Sequence, residues 1–257
     1  MTTAVTHAGY MTGRHLRALS REPWYLAFTL VQPLVYLLIF GALFEKVALI
    51  PGFEGDYIGF FAPGIVVMSA LFAASWNGLA TLEDLERGTL DRFLVSPAWR
   101  GSLIIGPIAQ AVASVLVQSL VIVVVAWLVG AQFASGLVGI ALLVLSAALV
   151  AAPFAALSNA TALTARSEQT MVGMVNFIAM PATFLSGAFM PIELAPGWIQ
   201  TVARYNPVNW AVEAGHAAVA ASVDWSVVIS RFTLLALLSA VMGAVATRAF
   251  RSYQRTV

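Results

Sequence analysis

Cysteine is absent from the sequence, lysine occurs once, and charged residues make up only 10% of its 257 positions. Each shortage excludes a class of chemistry. Without cysteine there is no disulfide framework and no thiolate to serve as a metal ligand or nucleophile. The three histidines, His7, His15 and His216, are scattered and lack the carboxylate spacing of a metal site. No H-E-x-x-H, G-x-S-x-G or G-x-x-x-x-G-K-[ST] pattern occurs, so neither a metalloprotease, a nucleophile elbow nor a P-loop can be read from the chain. A net charge of +1, with no long basic run, gives no surface for nucleic acid. What fills the space is apolar: 60% of residues are hydrophobic and the mean hydropathy is +0.89. A soluble domain carries about a quarter charged residues. The class is therefore an all-α polytopic membrane protein. Arginine at 12 to lysine at 1, in an Ala- and Val-rich chain, suggests a GC-rich bacterial genome.

The chain begins with an amphipathic pattern over 5–21. Tyr10, Arg14, Arg17 and Arg21 fall on one helical face and Val5, Ala8, Met11, Leu16 and Leu19 on the other. Such a helix suits the lipid headgroup region. The alternative, a signal-peptide n-region, is disfavoured because the uncharged run 23–44 is too long for an h-region and has no A-x-A site. At roughly 20 apolar residues per crossing, six spans are expected, at about 24–44, 57–80, 103–129, 137–162, 169–190 and 226–248. Spans three and four share the charge-free stretch between Arg100 and Arg166, with a turn at 130–136. No internal repeat or linker divides the chain, so 1–257 reads as one transmembrane domain.

Orientation follows from arginine placement. Arg14, Arg17, Arg21, Arg87, Arg92, Arg100, Arg166, Arg248, Arg251 and Arg255 fall on one side of this topology. Both termini and the loop between spans two and three are thus expected in the cytoplasm. The segment 191–225 lies on the other side and reads as two short helices broken at Asn206-Pro207, anchored by Trp198, Tyr205, Trp210 and Trp225.

The densest charge in the chain is GLATLEDLERGTLDRFLVSPAWRG, 78–101, with Glu83, Asp84, Glu86, Arg87, Asp91, Arg92 and Arg100. Leu82 and Leu85 extend span two beyond the membrane. Gly88 stands where a helix ends in the left-handed region. Thr89 then caps a short helix whose apolar face is Leu90, Phe93 and Leu94 and which Pro97 closes. The residues alone permit a docking element or an ordinary solvated loop. Within the spans, Gln32, Asn77, Gln110, Gln118, Asn159, Asn176 and Thr183 are candidates for a substrate path, Gln32, Asn77, Asn176 and Thr183 foremost. Interhelical hydrogen bonding is the alternative role. No acid lies deep in a span, which argues against a proton-coupled carrier. Pro33, Gly173 and Pro181 mark spans one and five as those able to kink.

LEDLERGTLDRFLVSP at 82–97 resembles the loop after the second span in type-2 ABC exporter permeases: an acidic and basic cluster, Gly-Thr-Leu, an acid, a hydrophobic pair and Ser-Pro. The stretch from 185, with Leu185-Ser186-Gly187, Pro191, Pro196 and Asn206-Pro207, is similar to that family's outer segment, most of all in daunorubicin-resistance-type permeases. The chain departs from the pattern at Leu85, where a charged residue is common. The resemblance implies an ATP-driven exporter subunit that binds no cofactor itself, with ATP and Mg²⁺ held by a separate ATP-binding subunit in two copies. It also implies a second permease subunit, as homodimer or heterodimer, in a bacterial inner membrane. The ATPase contact would then be Glu83, Glu86, Arg87, Gly88, Thr89, Leu90, Asp91, Arg92 and Phe93 in a cytoplasmic coupling helix, joined by the interfacial helix. The absence of buried charge in the spans suggests an amphipathic drug, lipid or lipid-linked cargo. A polysaccharide or teichoic-acid-like cargo, or a non-transporting structural or regulatory subunit, are the other readings.

Overall fold

The computed structural model describes residues 23–44, 57–87 and 102–254, and they are helical almost throughout, with no strand among them. The expected interfacial helix at 5–21, with Arg14, Arg17 and Arg21, and the expected docking helix that Thr89 caps and Pro97 closes, together with Gly88 before it, lie outside the described residues. The helices are α1 (Pro23–Leu43), α2 (Tyr57–Trp76), α3 (Gly78–Glu86), α4 (Ser102–Val129), α5 (Gly136–Ala165), α6 (Glu168–Met174), α7 (Met180–Phe184), α8 (Gly197–Ala203), α9 (Pro207–Val219) and α10 (Trp225–Gln254). Four stretches among the described residues are long and apolar enough to cross a membrane: Tyr57–Glu86, Ile105–Val129, Gly136–Ala165 and Trp225–Arg251.

Helix α5 is the axis of the bundle, with α2, α4, α9 and α10 packed around it. Its sequence explains this position. Ala147, Ala151, Ala155, Ala156, Ala160 and Ala162 are buried along it, and side chains this small let neighbouring backbones approach closely where lipid provides no hydrophobic drive for helix association. The largest buried side chains, including Phe61, Ile65, Leu71, Ile122 and Leu143, fill the gaps between α2, α4 and α5. The opposite faces of α1, α4 and α10 expose Phe28, Trp127, Leu128, Ile229 and Leu237, as a lipid-facing surface would.

Local chemistry sets the breaks. Helix α5 ends at Arg166, in the left-handed region at φ 49°, and Ser167 then caps α6 by accepting from the Thr170 amide. Between α6 and α7, residues 175–179 form a π turn. Pro181 follows directly; it lacks a donor and its ring crowds the carbonyl four residues back, and a widened turn relieves that crowding. The expected fifth span at 169–190 is consequently one helical run only from Glu168 to Phe184, after which residues 185–190 turn. Asn206 draws the end of that run aside, donating from Nδ2 to the carbonyls of Ala182 (2.6 Å) and Leu185 (2.9 Å).

Candidate functional site

Among the described residues, polar chemistry is concentrated in three regions: the α3 end, the opposite α9 end, and the exposed face of α6 and α7. At the α3 end the apolar helix α2 stops at Trp76, and Asn77 separates it from α3. Asn and Gly are weak helix formers, but the break has a more specific cause. The Gly78 amide donates to Ser158 Oγ (3.0 Å) on α5, and that hydroxyl donates to the Ser75 carbonyl (2.5 Å). A side chain of a neighbouring helix is thus inserted into the interrupted ladder and satisfies one donor and one acceptor of the missing turn. Asn159, next on α5, donates from Nδ2 to Asn77 Oδ1 (2.9 Å) and to the Ala155 carbonyl (2.7 Å), and its Oδ1 accepts from Thr81 Oγ1. A Cβ on Gly78 would lie 2.5 Å from the Ser158 carbonyl oxygen and 2.6 Å from Met171 Cε, so α3 touches α5 backbone to backbone.

Beyond this joint, α3 runs out along α5 and α6 with Leu82, Ala162 and Met171 buried together. Of the expected ATPase contacts, the structure describes Glu83, Glu86 and Arg87. All three are exposed at the end of α3, and Arg87 pairs with Glu83 at 3.3 Å, one turn away. With both side chains more than half exposed, that pair contributes little to stability. Its charges remain accessible. Gly88, Thr89, Leu90, Asp91, Arg92 and Phe93 follow immediately in the chain, outside the described residues.

The α9 end is built differently. Asn206 occupies the N-cap of α9, its Oδ1 accepting from the Val208 amide (3.0 Å), and Pro207 takes the first helical position, where its missing donor is harmless. Asn209 accepts from the Gly187 amide (2.9 Å) and donates to Glu213 Oε1 (2.7 Å). Glu213 in turn meets Arg231 Nε of α10 at 2.6 Å, each side chain about one-third exposed (30%). Ser186 donates to the Thr183 carbonyl (2.6 Å) and Gln200 to that of Ala195 (2.9 Å). The Leu185-Ser186-Gly187 and Asn206-Pro207 motifs are therefore two halves of one hydrogen-bonded clasp. Beside it is a cavity of about 390 Å³, lined among others by Phe60, Glu193, Asn209, Glu213, His216 and Arg231. His216 stacks on the Phe60 ring, with centroids 4.5 Å apart, and its Nε2 is 2.9 Å from the Phe60 carbonyl. Burial lowers its pKa below the ordinary 6.5, against the opposing pull of that carbonyl and of Glu193. The neutral ring then donates from Nε2 to the carbonyl.

The four foremost path candidates are dispersed. Asn77 lies in the α3 joint, and Thr183 is buried and donates to the Ala179 carbonyl of its own helix (2.8 Å). Gln32 is exposed on α1 and reaches Tyr36 Oη at 3.4 Å. Asn176 is exposed on the π turn, donates back to the Val172 carbonyl (3.0 Å), and is flanked by exposed Phe177 and Ile178. Gln118 is buried and donates to Thr29 Oγ1 (2.8 Å), tying α4 to α1. Sequence reasoning missed Ser158, whose hydroxyl is one of several in an Ala-rich helix. It also took His216 only as one of three scattered histidines, although it lines one cavity with Glu213 and Arg231.

Comparison with known proteins adds to this geometry. Residues 6–220 match the profile of the ABC-2 type transporter family. The chain is 31% identical over 201 residues to a putative transport permease, ycf38, of Cyanophora paradoxa, covering 76% of this chain and 68% of that one. It is 27% identical over 216 residues to the daunorubicin resistance ABC transporter permease protein DrrB1 of Streptomyces coeruleorubidus, covering 82% and 74%. A probable multidrug ABC transporter permease, YbhR, of Escherichia coli K12 is 25% identical over 198 residues, covering 76% and 53%.

Proposed function

The chain belongs to the ABC-2 type transporter family, as a multi-pass permease subunit, and from that premise we propose that it drives export by coupling to a separate ATP-binding subunit. The observation that carries the proposal is the charged stretch 78–101, whose described part 78–87 begins at the end of the apolar helix α2 in a chain that otherwise avoids charge. Glu83, Glu86 and Arg87 begin a contact surface that continues through Gly88, Thr89, Leu90, Asp91, Arg92 and Phe93. The sequence carries no P-loop pattern, so ATP and Mg²⁺ are assigned to the partner and not to this subunit.

The working unit is two permease subunits with two ATP-binding subunits, in a bacterial inner membrane. Each permease crosses six times: the four long stretches, α1, and the run from α6 to α7. That last run of 17 residues, Glu168–Phe184, is about 25 Å long at 1.5 Å per residue, short of a hydrocarbon core of about 30 Å. The clasp at 185–209 completes the crossing on the outer side. Both termini and the α3 end face the cytoplasm, by the distribution of arginine. The cargo is an amphipathic drug, lipid or lipid-linked molecule. Support for this comes from the names of the relatives, daunorubicin resistance and multidrug permeases, and from the absence of any acidic residue deep within the apolar spans.

The test is reconstitution of the permease, together with an ATP-binding subunit recovered with it, into vesicles loaded with daunorubicin or a fluorescent phospholipid. The proposal expects movement of at least one probe that needs ATP and both subunits. Movement without ATP, or no ATP-dependent movement of either probe, counts against it.

A further inference from the structure

Resting on the coupling just proposed, we infer that the Asn77–Gly78 break is a hinge, with Ser158 and Asn159 of α5 as its positioning residues. The inference starts from where the hydrogen bonds of the broken turn go. In lipid there is no water to take a freed amide or carbonyl, so each must find a protein partner. A rigid kink could be closed by main-chain bonds within α2 and α3. Here the donor is Gly78 N–H, the acceptor is Ser75 C=O, and both are satisfied by one hydroxyl from another helix. The Asn77 amide is held only by the Ala74 carbonyl, at 3.2 Å. A hydroxyl rotates about a single bond, so the splice tolerates a change of angle between α2 and α3 that a continuous ladder would resist.

Asn159 senses that angle. One end of its amide holds Asn77 at the break, and the other accepts from Thr81, one turn into α3. Rotation of α3 about the break must stretch one of these bonds or carry Asn159, and α5, with it. Close packing makes the transfer direct. Gly78 lies against the α5 backbone and Met171 with no room for a Cβ, and Met171 is fully buried in α6. The π turn at 175–179 begins one residue after α6 ends. Movement of the charged stretch beyond Arg87 therefore reaches α5 through hydrogen bonds and α6 through Met171.

The absence of cysteine permits a clean measurement. Ala80→Cys on α3 and Thr164→Cys on α5 are both exposed and outside the network. Spin labels there report the α3–α5 distance in the complete complex, nucleotide-free and trapped with ATP and vanadate. The distance is expected to differ between the two states. Ser158→Ala and Asn159→Leu should leave the ATPase subunit bound and hydrolysing, while cutting both the distance change and the transport per ATP by roughly five- to tenfold. Thr81→Val removes one hydroxyl at constant shape and should lower transport per ATP by about threefold, whereas Thr81→Ser should keep it. A merely structural role would lower the yield of complex without changing that ratio. An unchanged distance shift in both Ser158→Ala and Asn159→Leu, or no shift in the parent complex despite ATP-driven transport, overturns the hinge. If the parent chain binds no ATPase, the functional reading fails separately. The hinge is then decided in the permease alone: it predicts a broader 80–164 distance distribution in Ser158→Ala, and an unaltered one overturns it.

Discussion

The two ends of α5 hold polar groups in opposite ways. At the Asn77–Gly78 joint every partner is neutral, and the Ser158 hydroxyl of one helix bonds the broken backbone of another while Asn159 holds the Asn77 side chain. At the α9 end the bonds tie side chains to loop backbone and finish in an ion pair beside an open cavity. The ion pair has its contacting atoms buried while each side chain as a whole stays about 30% exposed, so its charges are partly solvated. A neutral network in a dry helix contact has no such help and must be complete within itself. The first arrangement suits a joint that moves between packed helices, and the second a clasp that stays put near the headgroups.

Four substitution experiments would break or sharpen that contrast. The largest effect is expected where each end brings backbones together without a Cβ. A Cβ on Gly64 would lie 2.1 Å from the Ala188 carbonyl oxygen. Gly64→Ala and Gly78→Ala should each lower the stability of the purified permease by about 1–3 kcal/mol, the usual range for overpacking, seen as a lower Tm in detergent. Gly64→Ala should be the worse, because its obstacle is wholly main chain.

Next is Asn209→Ala, which orphans the Gly187 amide and one Glu213 oxygen. A cost of about 1–3 kcal/mol follows from the unsatisfied groups, with the clasp becoming open to limited proteolysis between 185 and 195. Transport per ATP in the assembled complex should be nearly unchanged, in contrast to Ser158→Ala.

A smaller effect, about 1 kcal/mol, is expected for Arg231→Met, and Glu213→Gln added to it should restore most of the loss. If the double variant is no better than the single one, the pair does not hold α9 to α10.

The smallest is a pH dependence. His216 has a lowered pKa in the folded chain. Its contribution to stability is complete above the ordinary value of 6.5 and is lost as pH falls toward the lowered folded value, because the unfolded chain takes up the proton first. The Tm should therefore drop between pH 7.5 and pH 5, and His216→Gln should flatten that part of the drop. Glu193, Glu213 and Arg231 face the same cavity, so the difference between the two chains, not the drop itself, carries the test.

Much of the helical plan was legible in the sequence because it is written locally. The charge-free run between Arg100 and Arg166 leaves room for the paired helices α4 and α5, and the 130–136 turn separates them. Asn206-Pro207 marked the start of α9 for the same reason, since a capping side chain and a donor-free residue act within one turn. The joint was only half legible. Asn77 and Asn159 stood out as polar residues in apolar surroundings, but nothing in the chain pairs positions 82 residues apart. Ser158 gave no signal at all, because a serine in an alanine-rich helix is equally suited to bonding its own backbone. The Glu213–Arg231 pair gave no local signal, because its partners lie 18 residues apart on separate helices. The shortness of the α6–α7 run was likewise invisible: Leu185 to Met190 is apolar enough to continue a helix, and the carbonyls that stop it are taken by Asn206, some 20 residues later.

The central claim is that the charged stretch after α2 grips an ATPase. The most direct measurement is quantitative co-purification of the affinity-tagged permease from its native membrane, with Arg87→Glu plus Arg92→Glu as the comparison. The account predicts an ATP-hydrolysing subunit at about one per permease chain, lost from the doubly reversed variant while the permease itself is recovered at normal yield. A permease recovered without any ATPase, or one that retains it equally after charge reversal, would contradict the account.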